Sequence, residues 1–485
     1  QREIEIPPDW KGRHAVLFLE RPHGQTHVWL DDREVASVYA LATPHEYEMG
    51  LIQPGRHRLT VRLDNRTIVD VGPNSHSVSD HTQGNWNGIV GRMELRSTPP
   101  IWIDDVQVYP SNDGSVRVSV ALRKDEPLGD MVEVEVVLRD QSSGLQVARA
   151  SKTVRVMDMI RDDPPGHRQL TVTGATCELV ARLNAPPRLW DEFSPALYVA
   201  EVRLVTQDPA RVDSAKTTFG FRELKTQGTQ FVLNGHKAFF RGTLECCIFP
   251  RTGHPPVDVE EWKRIIGVCK AHGLNMIRFH SWCPPQAAFV AADEMGFYFQ
   301  VECSSWANTT TGLGLGKPID KWIYEEADRI LRHCGNHPSF LLLLYGNEPG
   351  GKHQAFLGKW VEHYKAKDPR RLVAGGAGWP EIPANQFHVS PGPRVQAWGQ
   401  GLKSRINARP PETRTDYRDY VAKRSVPVIS HEIGQWCVYP NLEEIPKYTG
   451  YLKPRNFEIF RDFLDAAGMG KLAHDFLIAS GKLQA

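Results

Sequence analysis

The hydrophobic rhythm of the chain changes once, near residue 221, and this change restricts the possible architecture more than any other feature. Before it, apolar and polar residues alternate in short runs, as in Val116-Arg117-Val118-Ser119-Val120 and Val132-Glu133-Val134-Glu135-Val136. A period of two sets one face of a strand on a core and the other toward solvent. Asp31-Asp32, Pro54-Gly55 and Asp64-Asn65 punctuate the early runs, a spacing that predicts a β-sandwich. Pro99-Pro100 breaks the pattern, and Ile101-Trp102-Ile103 restarts it. The expectation is one sandwich over 1–98 and a second, of immunoglobulin-like size, over 99–220.

From residue 221, apolar strand-like runs alternate with helical patterns, the signature of a parallel α/β domain. Asp258 is a good N-cap with Glu261 three residues on, Trp262, Ile265, Ile266 and Cys269 follow at helical spacing, and Gly273 ends the helix. Candidate strands are read at 238–242, 274–279, 297–302, 340–345, 371–376, 386–389 and 427–431. With right-handed crossovers this alternation predicts a (β/α)8 TIM barrel over 221–485. An eighth strand is not visible, because the tail from Phe457 to Ala485 reads as helical.

Composition narrows the function. Charged residues make up 24% of the 485 positions and net charge is +1, with no basic block, so a nucleic-acid partner is not expected. No apolar run reaches the length of a membrane span. The eight cysteines include no CxxC pair, which argues against a zinc ribbon or thioredoxin-like site; no metal and no cofactor is expected. The N-terminus shows neither a signal-peptide pattern nor an initiator Met, so the chain is expected to begin after processing or truncation. An oligomer is compatible with all of this.

In a parallel barrel, chemistry gathers past the C-terminal ends of the strands. Two glutamates stand there. The apolar run Ser339–Tyr345 leads into Gly346-Asn347-Glu348, and Val426–His431 leads into Glu432. A lone glutamate at a strand end often caps the next helix or pairs with an arginine. Two of them across one mouth match what glycoside hydrolysis requires: one carboxyl to protonate the leaving oxygen, one to meet the oxocarbenium-like carbon. Glu245 and Glu302 also end strands and are rival carboxylates. His280, Trp282, Trp306, His388, Trp398, Trp436 and Tyr439 fall near strand ends as candidate sugar contacts, and His431 precedes Glu432.

Several segments, in order, resemble glycoside hydrolase family 2, which includes β-galactosidases, β-glucuronidases and β-mannosidases. They are Trp86-Asn87-Gly88-Ile89, Leu189-Trp190 with Ser194-Pro195-Ala196-Leu197-Tyr198, Phe219-Gly220-Phe221-Arg222, Leu233-Asn234-Gly235 with Phe240-Arg241-Gly242, and Asn336-His337-Pro338-Ser339 with Gly346-Asn347-Glu348. The resemblance implies a sugar-binding-like jelly roll, an immunoglobulin-like sandwich and a barrel, with the jelly roll and barrel trimmed. It implies a retaining exo-glycosidase in a periplasmic or extracellular setting, with Glu348 as acid/base and Glu432 as nucleophile. Asn347 would hydrogen-bond the sugar 2-hydroxyl, and Arg278 would hold Glu432 ionised. The sequence departs from the family around Thr243-Leu244-Glu245-Cys246-Cys247 and His280-Ser281-Trp282-Cys283-Pro284, segments that shape the sugar pocket. No Asn-x-Lys segment follows Glu432. A β-galactoside-like substrate is therefore expected ahead of a glucuronide, galacturonide or arabinoside. A non-catalytic carbohydrate-binding protein is the alternative of another class.

Overall fold

A computed structural model describes residues 1–76, 78–79, 85–124, 131–155, 176–205, 212–396, 399–434 and 438–485. The first strands are β1 (Arg2–Ile6), β2 (His14–Pro22), β3 (Gly24–Leu30), β4 (Arg33–Ala40), β5 (His45–Leu51), β6 (Gly55–Asp64) and β7 (Ile89–Thr98). They form two facing sheets, ordered β1-β6-β3-β4 and β5-β2-β7. Leu17, Leu19, Val28 and Tyr47 fill the space between them.

The next set is β8 (Ile101–Pro110), β9 (Ser115–Lys124), β10 (Met131–Asp140), β11 (Gln146–Arg155), β12 (Thr176–Arg182), β13 (Tyr198–Val205) and β14 (Ser214–Phe219). Their sheets run β12-β9-β8 and β11-β10-β13-β14. The period of two is visible in burial: Val132, Val134, Val136 and Leu138 are fully enclosed, while Glu133 and Glu135 lie on the outer face. Enclosing each such side chain contributes roughly 1.5–3 kcal/mol.

Arg222 ties the second sandwich to the α/β region. Its guanidinium donates to the carbonyls of Pro338 (2.6 Å), Phe340 (2.8 Å) and Arg370. A small antiparallel sheet comes next: β15 (Leu224–Gln227), β16 (Gln230–Leu233) and β17 (His236–Ala238). Here the structure corrects the strand expected at 238–242. Asn234 and Gly235 have φ of 53° and 81°, a two-residue hairpin turn that folds β17 back onto β16. The parallel sheet starts only afterwards, at β18 (Gly242–Glu245).

That sheet continues in chain order through β19 (Met276–Phe279), β20 (Tyr298–Glu302), β21 (Phe340–Leu344) and β22 (Leu372–Ala374). The helices α1 (Val259–Ala271), α2 (Gln286–Met295), α3 (Pro318–Cys334) and α4 (His353–Lys367) connect them. Asp258 caps α1 by accepting from the Glu261 N–H, and Gly296 ends α2 in the left-handed region at φ 64°. A second parallel pair, β23 (His388–Ser390) and β24 (Val428–Ser430), joins the array through Ala377, which bridges both Asn347 and Val389. Among the described residues no eighth parallel strand follows, and the array does not close into the expected barrel. The short helices α5 (Arg405–Ala408) and α6 (Arg418–Val421) precede β24, and α7 (Arg455–Ala466) and α8 (Ala473–Gln484) end the chain.

Candidate active site

The five residues of β21 are fully buried. Beyond it the chain turns sharply. Gly346 has φ 150°, and a Cβ there would overlap the Ser305 carbonyl. The Asn347 N–H donates to that carbonyl (3.0 Å), and the Glu348 N–H donates to Ala377 O (2.9 Å). Glu348 itself has φ 35°, and Glu432, just past β24, has φ 54°. Non-glycine residues held there cost on the order of 1–3 kcal/mol each, and such strain concentrates where side chains must be aimed. Gly378 leaves space beside Glu348 and His431: a Cβ on it would lie 3.0 Å from Glu348 Cγ and 3.4 Å from His431 Cε1.

The two carboxyls have different surroundings. Burial raises the pKa of Glu348, and the charge of Glu432 raises it further; Arg394, Arg278 and the nearby Trp306 indole act in the opposite sense. Glu432 faces one guanidinium and two imidazoles. Arg394 Nη2 lies 3.5 Å from its Oε2, and His280 Nε2 and His431 Nε2 each lie 3.5 Å from its Oε1. Burial, helped by Arg278, depresses His280 to about 3 and His431 to about 2, so both rings are neutral.

A hydrogen-bond network surrounds the pair. Arg278 donates through Nε to Glu302 Oε1 (2.6 Å) and through Nη2 to Asn347 Oδ1 (2.7 Å). A guanidinium only donates, so this contact fixes which end of the Asn347 amide faces inward. Arg394 Nη2 donates to His431 Nδ1 (2.5 Å), so Nδ1 accepts and Nε2 carries the proton of this neutral ring. His431 Nε2 then donates to Asn347 Oδ1 (3.1 Å). Asn347 Oδ1 receives two donors, whereas its buried Nδ2 has no partner.

His280, His431 and Glu432 converge closely enough to hold a metal ion. The fit is poor: the His431 nitrogen on that side bears a proton, and Arg278 and Arg394 crowd the trio with positive charge. We assign it no metal.

The expected site residues divide. Asn347, His280 and Trp306 lie around the two glutamates; the Trp306 ring centre is 4.9 Å from that of His280. Arg278 is near, but its side chain goes to Glu302 and Asn347, and Arg394 is the arginine set against Glu432. Trp282 is fully buried, with its indole N–H on Glu245 O (3.1 Å) and its ring against Phe279. Ser281, at φ 51°, turns the chain so that Trp282 enters the core instead of the mouth. His388 opens β23 rather than ending it and bonds Asn385 beside Glu381 and Arg424. The Tyr439 hydroxyl donates to Phe460 O in α7. Trp398 and Trp436 lie outside the described residues. Of the rival carboxylates, Glu302 is fully buried on Arg278 and the Ser281 N–H. Glu245 accepts from the N–H groups of Cys247 and Ile248, though enclosure raises it to about 7.

Two contributors were not anticipated. Arg394 lies past the end of β23 in a segment without periodicity. His76 comes from the first sandwich: its N–H donates to Ser281 Oγ (3.0 Å), and its ring meets His280 edge-on at 4.6 Å. The loop carrying it is pinned by the Trp306 N–H on Val71 O (2.9 Å).

Two β-sandwiches lead into a parallel β/α array with paired glutamates past its strand ends, a sandwich-rich, multidomain architecture. The sequence profile of glycosyl hydrolases family 2 matches residues 101–222. The β-galactosidase of Psychromonas ingrahamii is 24% identical over 396 residues, covering 79% of this chain and 36% of that protein. The β-galactosidase large subunit of Latilactobacillus sakei is 22% identical over 429 residues, covering 85% and 61% respectively. A β-glucuronidase structure from Bacteroides uniformis superposes with a TM-score of 0.63 at 18% identity, over 78% of this chain and 46% of that one. A family 2 member from Bacteroides cellulosilyticus gives 0.61 at 20% identity, over 78% and 47%. The chain is thus similar to glycoside hydrolase family 2 proteins, with the family profile matched over residues 101–222. It spans between about a third and three fifths of the length of the curated relatives it matches.

Proposed function

We propose that this chain carries the catalytic centre of a retaining exo-glycosidase. Glu348 protonates the glycosidic oxygen while Glu432 attacks the anomeric carbon, giving a covalent glycosyl-enzyme and the free aglycone. Glu348, now ionised, takes a proton from water, whose oxygen displaces Glu432 from the sugar. The observation that carries the reading is the asymmetry between two coupled carboxyls at strand ends. Glu348 is desolvated and pushed up by its partner's charge, as a proton donor needs, and Glu432 faces Arg394 and two histidines. The unpartnered Nδ2 of Asn347 supports a donor role toward the sugar 2-hydroxyl. In this reading residues 221–485 are most of a (β/α)8 barrel, and 1–98 and 99–220 are a jelly-roll and an immunoglobulin-like domain. A β-galactoside-like sugar is the first substrate to test, in keeping with the curated relatives' names.

Chemical rescue tests the roles. Glu348→Ala should still be glycosylated by nitrophenyl glycosides, whose leaving group needs little protonation, and azide should restore turnover with the β-glycosyl azide as product. Glu432→Ala should give only the inverted azide. The opposite pattern of configurations would mean that the two roles are exchanged.

A further inference from the structure

We propose that Arg394 is a positioning residue of this site, fixing the His431 tautomer and through it the Asn347 amide that meets the substrate. The inference rests on the glycosidase reading above and adds to it a residue that touches neither the leaving group nor the sugar.

Arg394 holds His431 twice, with Nε on the backbone carbonyl (2.8 Å) and Nη2 on ring Nδ1 (2.5 Å). That grip leaves one tautomer, with the ring proton on Nε2, 3.1 Å from Asn347 Oδ1. In the other tautomer, a ring lone pair would face a carbonyl oxygen that has nothing to donate, and the contact would become repulsive. Asn347 would then keep only its Arg278 bond. Its amide would lose one of the two donors that fix which of its ends is Oδ1 and which is Nδ2. Gly378 leaves room beside this ring: a Cβ there would come within 3.4 Å of His431 Cε1 and 3.0 Å of Glu348 Cγ. Arg394 Nη2 also lies 3.5 Å from Glu432 Oε2. One side chain therefore touches the candidate nucleophile directly and the 2-hydroxyl donor at one remove.

These two contacts predict different losses. Weakening the contact to Glu432 slows every substrate. Loss of Asn347 orientation slows only substrates with a 2-hydroxyl, because a 2-deoxy sugar has nothing there to bind. The test compares kcat/KM for nitrophenyl β-galactoside and its 2-deoxy analogue in wild type, R394A, R394Q and R394K. The expected result is a fall of about 10-fold or more in the 2-hydroxy to 2-deoxy ratio for R394A, the size of one well-placed hydrogen bond to a reacting sugar. R394K, which can still donate to Nδ1, should recover part of the ratio. A second readout needs no activity. In 15N-histidine-labelled protein, the His431 signal should be that of an Nε2–H ring in wild type and should change in R394A or R394Q. An unchanged ratio with both substrates slowed equally, or an Nε2–H ring that persists without Arg394, would overturn the proposal. If the wild type cleaves no aryl glycoside, the glycosidase reading fails, and the labelled spectrum still decides the tautomer.

Discussion

At the residue scale, the two glutamates share a backbone conformation and differ in what surrounds them. Glu348 is raised first by burial and second by the charge of Glu432, and it is lowered by Arg394 and Arg278. These causes give two substitutions opposite signs. Glu432→Gln removes a charge that opposes ionisation, so Glu348 should titrate lower than in the wild type. Arg394→Gln removes a charge that favours ionisation, so Glu348 should titrate higher. Carboxyl 13C NMR of each variant reads both shifts directly. If Glu348 is the acid, the basic limb of kcat/KM should also move to higher pH in Arg394→Gln, because the active, protonated form then persists further. Shifts of the same sign in both variants would show that the two carboxyls do not interact as described.

At the element scale, the loop from Asp70 to Ser79 links the first sandwich to the parallel array. The Asp70 carboxylate accepts from the Gly72 N–H (3.0 Å) and Thr310 Oγ1 (3.0 Å), and Val71 O accepts from the Trp306 N–H (2.9 Å). Gly72 has φ 93°, and any Cβ there would overlap the Trp306 carbonyl. Gly72→Ala should therefore lift the loop, cost about 1–3 kcal/mol, and weaken substrate binding while the sandwich stays folded. A raised KM with unchanged far-ultraviolet dichroism is the expected outcome; a KM equal to wild type would show that this loop does not border the sugar. The loop also marks the limit of what the sequence discloses. Strands buried on both faces are legible: β21 is one continuous apolar run ending in Gly346-Asn347-Glu348, and β20 is apolar but for Gln300 up to its terminal Glu302. Strand-end position alone does not say which way a side chain turns, so Trp282 and Glu302 read like site residues although one belongs to the core and the other to a buried ion pair. Likewise the Asn234-Gly235 turn shifted the first parallel strand because hydrophobicity does not register a two-residue reversal. Arg394 and His76 sit in aperiodic segments and reach their partners across 37 and 205 residues, distances over which no local pattern carries information.

At the scale of the whole molecule, a buried chain of charges joins all three sheet systems. Arg123 on β9 lies 3.1 Å from Glu48 on β5 and 3.1 Å from Asp104 on β8, and Arg332 at the end of α3 lies 3.1 Å from the same Asp104 carboxylate. The side chains of Glu48 and Asp104 are 1% and 0% exposed, and those of both arginines 10%. Ions this enclosed carry a large desolvation cost, which the pairing offsets only while every partner is present. Removing one partner is therefore worse than removing the pair. Arg123→Met should take the guanidinium away from both the Glu48 and Asp104 carboxylates, a loss on the order of 3–5 kcal/mol. Because the lost link runs between separately cored units, the expected sign is a split thermal transition in calorimetry, with one part unfolding below the wild-type midpoint. Adding Glu48→Leu to Arg123→Met removes the buried charge that has lost its arginine and puts apolar surface against apolar surface. The double variant should recover much of the loss and bring the two transitions back together. If it is no more stable than Arg123→Met alone, the seam is held by the packing of the arginine stem and not by its charge.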